Sequence, residues 1–503
     1  MDQELALAIL MSGRSALLTG AAGTGKTHLL NTFIMQARDQ GKKVSVTATT
    51  GLAATHLGGN TIHSWSGIGV SDHLANNFFD RLSKTRCEVI SRTDVLVIDE
   101  ISMLHDFRLD MVDRVLRGVR ENDQPFGGVQ LVMSGDFFQL PPINRPGEQD
   151  GGFVVYSEAW QELQPAVLYL ERQYRQNDEQ LLEILTALRN DDIRRHHAEA
   201  LLARTEVQPP DGDITELHTV NVDVDAINSQ KLAELAGEER RYQQTTTGSK
   251  VYVENLQRSV LAPSELVLKL GALVMAVKNS PQKLYANGSI GTVVDFEPLT
   301  EYPIVEFRSG QQVTMVPDVW ELRDGERKRA SISQVPLRLA WAITVHKSQG
   351  MTLDAAKIDL RKAFVEGMGY VALSRVRDLE NLYLYGINRK ALAVSPDALA
   401  IDEVLQRASN EAVRRYRPML EEMKLKQPAP KKSGKSASWQ QKIAKMRQTH
   451  PKAYMPWEKA DDDILKQEFL QGATIQQLSQ KLGRHEGSIR MRLQKHFGED
   501  VLG

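Results

Sequence analysis

Residues 20–27 read "GAAGTGKT": glycines at 20, 23 and 25, then a lysine and a threonine, all following the apolar run "ALLT". In a loop between a strand and a helix, Gly20, Gly23, Thr24 and Gly25 turn backbone N–H groups inward, around anionic oxygens at the start of the helix. Lys26 is then placed to reach the β- and γ-phosphates of a nucleotide, and the Thr27 hydroxyl to hold Mg²⁺. A glycine loop of this form also arises by chance, so its chemistry depends on what stands beside it.

The second set of groups is "DVLVIDEISML", where the apolar residues Val95 to Ile98 run directly into Asp99 and Glu100. Such runs suit strands buried on both faces of a parallel sheet, and carboxylates at the C-terminal end of such a strand face the ligand crevice. Asp99 is expected to hold Mg²⁺ through water, and Glu100 to orient and activate the water that attacks the γ-phosphate. A third run, "VQLVMSGD", enters "FFQLPP", where Gln139 is placed to report the γ-phosphate. An acidic pair alone is commonly a turn and Gln139 alone a loop amide, but the three stretches together predict a RecA-like core with ATP at its sheet edge.

One such core lacks the positive charge that the transition state needs, so an arginine must come from elsewhere. The candidates are Arg175 in "ERQYRQND" and Arg375 in "GYVALSRVRD". Either alone reads as a surface salt-bridge residue. Between and after them, "AWAITVHKSQGMTLDAAKIDL" and "LENLYLYG" supply strands for a second RecA-like core, and an arginine-lined cleft between two cores can close and open with each ATP.

The elements that must position these groups divide the 503 residues into several domains. The fold class is α/β: two RecA-like parallel-sheet P-loop domains, a small β-barrel insertion and a C-terminal three-helix, helix-turn-helix-like module. The first RecA-like domain spans 1–165 and the second 166–230 and 336–420. The insertion spans 231–335, where "ELVLKLGALVMAV", "GSIGTVVDF", "PIVEF" and "QQVTMV" alternate around glycine turns. A basic linker covers 421–452, with nine Lys/Arg and no Asp or Glu between Lys424 and Lys452. It serves either as a solvated tether or as a phosphate contact. Residues 453–503 read as three short helices, the last carrying Arg484, Arg490, Arg492 and Lys495 on or beside it. They form either a DNA-binding or a protein-docking module, and the basic tether favours DNA.

Net charge is −2 and Cys87 is the only cysteine, which excludes an internal disulfide framework and fits a reducing compartment. No apolar run approaches the ~18 residues of a membrane span. The phosphate loop lies too near Met1 for a presequence, so the reading is a cytoplasmic protein with no membrane partner.

In order, "GAAGTGKT", "TATTGLAATHLGGNTIHSW", "VIDEISML", "SGDFFQLPP", "RQYRQ", "ITVHKSQGMTLD" and "YVALSRVRD" form an uninterrupted series over about residues 1 to 400. This series resembles that of the Pif-type DNA helicases of superfamily 1B, with RecD-type helicases as relatives. "EISMLHDFRLDMVDRVLRGVR" resembles the family's signature, and it is also an amphipathic helix, with Leu109, Val112, Val115, Leu116 and Val119 on one face.

The resemblance implies that Gln3 recognises the adenine edge, and that Thr50, His63, Thr344, His346 and Lys347 touch single-stranded DNA. It also implies a small DNA-contacting insertion at about 60–90 and a clamp role for the β-barrel, whose alternative is a purely structural excursion. Met368 departs from the glutamine of many members. The function implied is that of an ATP- and Mg²⁺-dependent helicase moving 5′ to 3′, a monomer on single strands, single-strand/duplex junctions and quadruplex DNA, serving replication, repair or recombination. Rival readings are a RecD-like subunit of a larger complex and an ATP-switched DNA-binding regulator.

Overall fold

The runs Ala16–Gly20 (β1), Val44–Ala48 (β2), Asn60–Thr61 (β3), Val95–Asp99 (β4), Gln130–Ser134 (β5) and Ala166–Leu170 (β6) lie in one sheet, in the order β3-β2-β4-β5-β1-β6. Every pairing in it is parallel. Helices cover such a sheet on both faces, so its central strands must be apolar throughout; Leu17, Leu18, Leu96, Val97, Leu131 and Val132 are all buried. Because β4, β5 and β1 are neighbours, the phosphate loop, Asp99-Glu100 and the "SGD" turn leave the sheet side by side. The computed structural model describes residues 1–497 apart from 70, 145–148, 175–177, 210–213, 281, 283, 286, 325–326, 427–449, 453–456 and 458.

The structure moves two boundaries. β6 pairs along its length with β1, from Ala16 opposite Ala166 to Gly20 opposite Leu170, so the first lobe runs to Leu170 and does not end at 165. "AVLYL" signals a strand but carries nothing that tells one sheet from the other. The second shift comes from the insertion. The chain makes β7 (Glu216–His218) and then departs through β8 (Arg240–Gln243), β9 (Thr245–Gly248), β10 (Glu265–Leu268), β11 (Leu273–Ala276), β12 (Ile290–Phe296), β13 (Pro303–Phe307), β14 (Gln312–Thr314), β15 (Asp318–Asp324), β16 (Arg327–Gln334) and β17 (Leu337–Leu339). β17 pairs antiparallel with β11, which extends the insertion to Leu339, past the expected end at 335. "PLRLAWAIT" is nearly continuous apolar sequence with no glycine to mark the change of sheet.

The insertion is built on a five-stranded antiparallel sheet, β14-β13-β12-β11-β17, with the smaller sheets β10-β8 and β15-β16-β9 beside it. It packs against the first lobe through a helix and a strand. Helix Lys250–Ser259 packs against helix Gly51–His56, and β15 against helix Lys84–Arg92. The chain then returns as β18 (Ala342–Thr344), β19 (Ala356–Leu360) and β20 (Leu382–Ile387), completing a second parallel sheet in the order β18-β7-β19-β20.

Met1–Pro418 forms one compact unit and Met419–Gly503 another. In the second, helices Lys459–Leu470, Ile475–Leu482 and Glu486–Phe497 enclose Leu465, Leu478, Leu482, Ile489 and Leu493. Thr474 and Gln477 form a capping box at the start of the middle helix, and Gly483 ends it in the left-handed conformation. Among the described residues, no helix is long and apolar enough to cross a membrane.

Candidate active site and nucleic-acid track

Gly20 and Gly25 show why the phosphate loop needs glycine. Gly20 has φ 138°, and a Cβ there would lie 2.4 Å from the Leu170 carbonyl oxygen. Gly25 has φ 83° and caps helix Lys26–Asp39 in the left-handed conformation; a Cβ there would lie 2.5 Å from Gln3 Nε2. Gln3 also donates from Nε2 to the Thr24 carbonyl at 3.3 Å, which sets its amide against the loop. Lys26 Nζ lies across the loop, donating to Gly20 O at 2.8 Å and Ala21 O at 3.0 Å.

Beside the loop, β4 ends in two adjacent carboxylates. Glu100 takes φ 53° and ψ 44°, a left-handed backbone that costs a side-chain-bearing residue on the order of 1 kcal/mol or more. Burial raises the carboxyls of both Asp99 and Glu100, repulsion from Asp99 raises Glu100 further, and Lys26 only partly offsets these effects. Two adjacent, half-buried carboxylates beside one lysine leave the strand end short of positive charge. That deficit suits a divalent cation, with the exposed Thr27 on the loop and Asp99 at the strand end as the oxygen donors.

A cleft of about 440 Å³ joins these groups to the second lobe. Lys26, Thr27, Glu100 and Gln139 line it from the first lobe, and Gly350, Thr352, Arg375 and Arg377 from the second. Arg375 is 1% exposed. Its guanidinium donates to Val371 O, Ser348 O, Met351 O and Ser374 Oγ at 2.7–3.2 Å, holding the cation at the wall of the cleft. Arg175 lies outside the described residues.

Sequence reasoning passed over several groups here. Gln349 Nε2 donates to Glu100 Oε2 at 2.9 Å and to Gln139 Oε1 at 3.2 Å, so one amide from the second lobe bridges two groups of the first. Tyr174 and Arg377 also line the cleft. All three fall inside the quoted motifs, and only the meeting of the lobes gives them a role.

The residues expected along DNA fall into one group on each lobe. Thr50 and His63 follow the C-terminal ends of β2 and β3. Burial, aided by Arg108 and His105, lowers His63 to about 4, which favours the neutral imidazole. On the second lobe, burial lowers both His346 and Lys347, and Arg338 lowers Lys347 further. Thr344 is 3% exposed, and its Oγ1 accepts from the Lys347 N–H at 3.3 Å, which shapes the turn that carries Lys347. Phe364, 60% exposed and stacked on His346 with ring centroids 6.3 Å apart, was not anticipated.

In the C-terminal unit the cationic face is smaller than the sequence suggested. Arg484 is buried on Asp461 at 2.8 Å, and Arg492 pairs in two-pronged fashion with Asp462 at 2.7 and 2.5 Å. Helical spacing showed no partners for them, because both aspartates come from the first helix of the module, Lys459–Leu470. Arg490 and Lys495 are exposed.

Two parallel-sheet lobes, a phosphate loop, paired carboxylates and a facing arginine define a two-lobed P-loop motor of the helicase class. The PIF1-like helicase family model matches residues 2–193. An ATP-dependent DNA helicase Pif1 of Psychrobacter sp. is 40% identical over 472 residues, covering 82% of this chain and 72% of that protein. Crystal structures of Bacteroides sp. Pif1 are similar as well. The complex with ADP-AlF4 has a TM-score of 0.71 at 30% identity, covering 82% of this chain and 98% of that one. The form bound to single-stranded DNA has a TM-score of 0.60 at 31% identity, covering 82% and 97%. The chain belongs to the PIF1-like helicase family.

Proposed function

We propose that this protein is an ATP-dependent DNA helicase that tracks 5′ to 3′ on single-stranded DNA and separates the duplex ahead of it. The observation that carries the reading is the cleft, where phosphate-binding, water-activating and arginine groups from two lobes face one space. Lys26 holds the phosphates, Glu100 positions and deprotonates the attacking water, Gln139 senses the γ-phosphate, and Arg375 stabilises the charge that develops on it. Thr27 and Asp99 would hold Mg²⁺, which would supply charge neutralisation for the phosphates. Opening one base-pair step costs about 1.4 kcal/mol on average, so each advance must be tied to a closing or opening of the lobes.

The direction rests on the resemblance of the motif series, and single-strand binding is supported by the Bacteroides Pif1 structure. Fork junctions and quadruplexes are the structures on which such a motor would act, as a monomer, with Arg490 of the terminal module gripping nearby duplex. The test is unwinding of duplexes with either a 5′ or a 3′ single-stranded tail by the purified chain. Opening of the 5′-tailed duplex alone, without added subunits, is expected. Efficient opening of the 3′-tailed duplex alone, or activity only within a larger assembly, would overturn the reading.

A further inference from the structure

Behind the cleft lies a buried polar chain that none of the nucleotide groups accounts for. Tyr370, on helix Met368–Leu373 of the second lobe, is 1% exposed. Its hydroxyl accepts the Ala22 N–H of the phosphate loop at 2.8 Å and donates to Asp136 Oδ2 at 3.2 Å. Arg189, from helix Glu179–Arg189, meets the same hydroxyl at 3.2 Å and Asp136 Oδ1 at 2.7 Å. Arg189 continues to the Tyr169 hydroxyl at 2.9 Å, and that hydroxyl donates to Asp402 Oδ1 at 2.8 Å.

Two members of this chain, one from each lobe, touch groups assigned above. On the first lobe, Asp136 accepts from Gln139 Nε2 at 3.4 Å and sits at the end of β5, beside the phosphate loop. On the second, Tyr370 stands one residue before Val371, whose carbonyl receives Arg375 Nε at 2.7 Å. Burial opposes the Asp136 carboxylate, but Arg189 and Lys26 more than offset it and hold the group below the usual carboxylate range. Burial and Asp136 push Tyr370 up to about 12, which keeps it a neutral phenol able to donate and accept at once. A buried hydroxyl satisfied on three sides, by groups from both lobes, fixes their spacing more tightly than apolar contact would.

We propose that Tyr370 is a positioning residue for hydrolysis: by holding the Ala22 N–H and Asp136 together, it sets where Arg375 stands relative to the γ-phosphate. A small shift of the loop on nucleotide binding then moves the Tyr370 helix, and Arg375 with it. The inference rests on the proposed ATPase function and adds the contact that ties its two halves together.

The test is Tyr370→Phe in the full chain, which removes one oxygen and keeps the ring. DNA-stimulated kcat is expected to fall about tenfold, because Arg375 is then held less closely in its reactive position, while KM for ATP stays within about twofold. Made in an Arg375→Ala background, the same change should have little further effect, since the two act in series. A purely structural role would lower the melting temperature and leave kcat unchanged. That result, or equal losses in both backgrounds, would overturn the proposal. If Tyr370→Phe does not fold, Asp136→Asn probes the other end of the contact and must show the same split between kcat and KM. Absence of DNA-stimulated ATPase in the parent would instead refute the function on which the inference stands.

Discussion

Glu100 carries the clearest sign of function held in a single residue: a left-handed backbone at the end of a buried strand, with a carboxyl that burial and Asp99 disfavour as an anion. Folding alone would select against both features, and such features cluster at functional sites. Lys26→Ala and Glu100→Gln are therefore expected to reduce DNA-stimulated turnover by about 10²-fold or more, the scale of losing one charge-stabilising group, with melting temperatures close to the parent. Steady-state ATPase assays and thermal melts check this, and undiminished turnover in either variant would contradict the assignments. At this scale the nucleotide candidates could be named from the sequence because each belongs to a short motif whose chemistry depends on near neighbours. Gln349 and Tyr370 were not, because their partners lie 210 to 348 residues away. Arg492 was misjudged for the same reason: a cation on a helix face looks free until the aspartate of another helix is placed beside it.

Among the elements, the parallel strands and helix Asp106–Arg120 could be read directly. Leu109, Val112, Val115 and Leu116 are buried, as their spacing requires. The ownership of β6 and β17 could not be read, since an apolar run specifies burial and not the sheet it joins. β18 poses a different problem: it is an edge strand, and it leads into His346 and Lys347. Asn228, from helix Asn221–Glu234, secures that edge by donating to Ala342 O at 2.8 Å and accepting from Ala342 N at 3.0 Å. Asn228→Ala would strand two backbone groups, at about 1–3 kcal/mol each. The expected result is a lower melting temperature and weaker single-strand binding with ATP affinity largely kept, measured by thermal melt, fluorescence anisotropy and nucleotide titration. An unchanged melting temperature would show that the amide does not secure the strand.

For the whole molecule, all the nucleotide groups lie in the Met1–Pro418 unit. Truncation after Lys426 is thus expected to leave DNA-stimulated ATPase largely intact and to flatten the salt dependence of DNA affinity, because basic linker residues and the exposed face of the last helix would no longer displace counterions. Arg490→Glu in the full chain separates the two contributions. Weaker binding to duplex-containing DNA is expected if the last helix enters a groove, and an unchanged affinity and salt slope would assign the module to a protein partner. The charge reversal belongs at Arg490 alone, since Arg492 holds Asp462. The same pairing has an optical side. Trp457 lies with the Arg484 guanidinium 4.3 Å and the Arg492 guanidinium 5.2 Å from its ring centroid. Both cations are fixed there by aspartates, so the indole occupies a polarised setting that exists only while the three helices are assembled. The terminal module therefore carries an indole of its own, whose emission would report the assembly of that module in a variant with the other five tryptophans replaced.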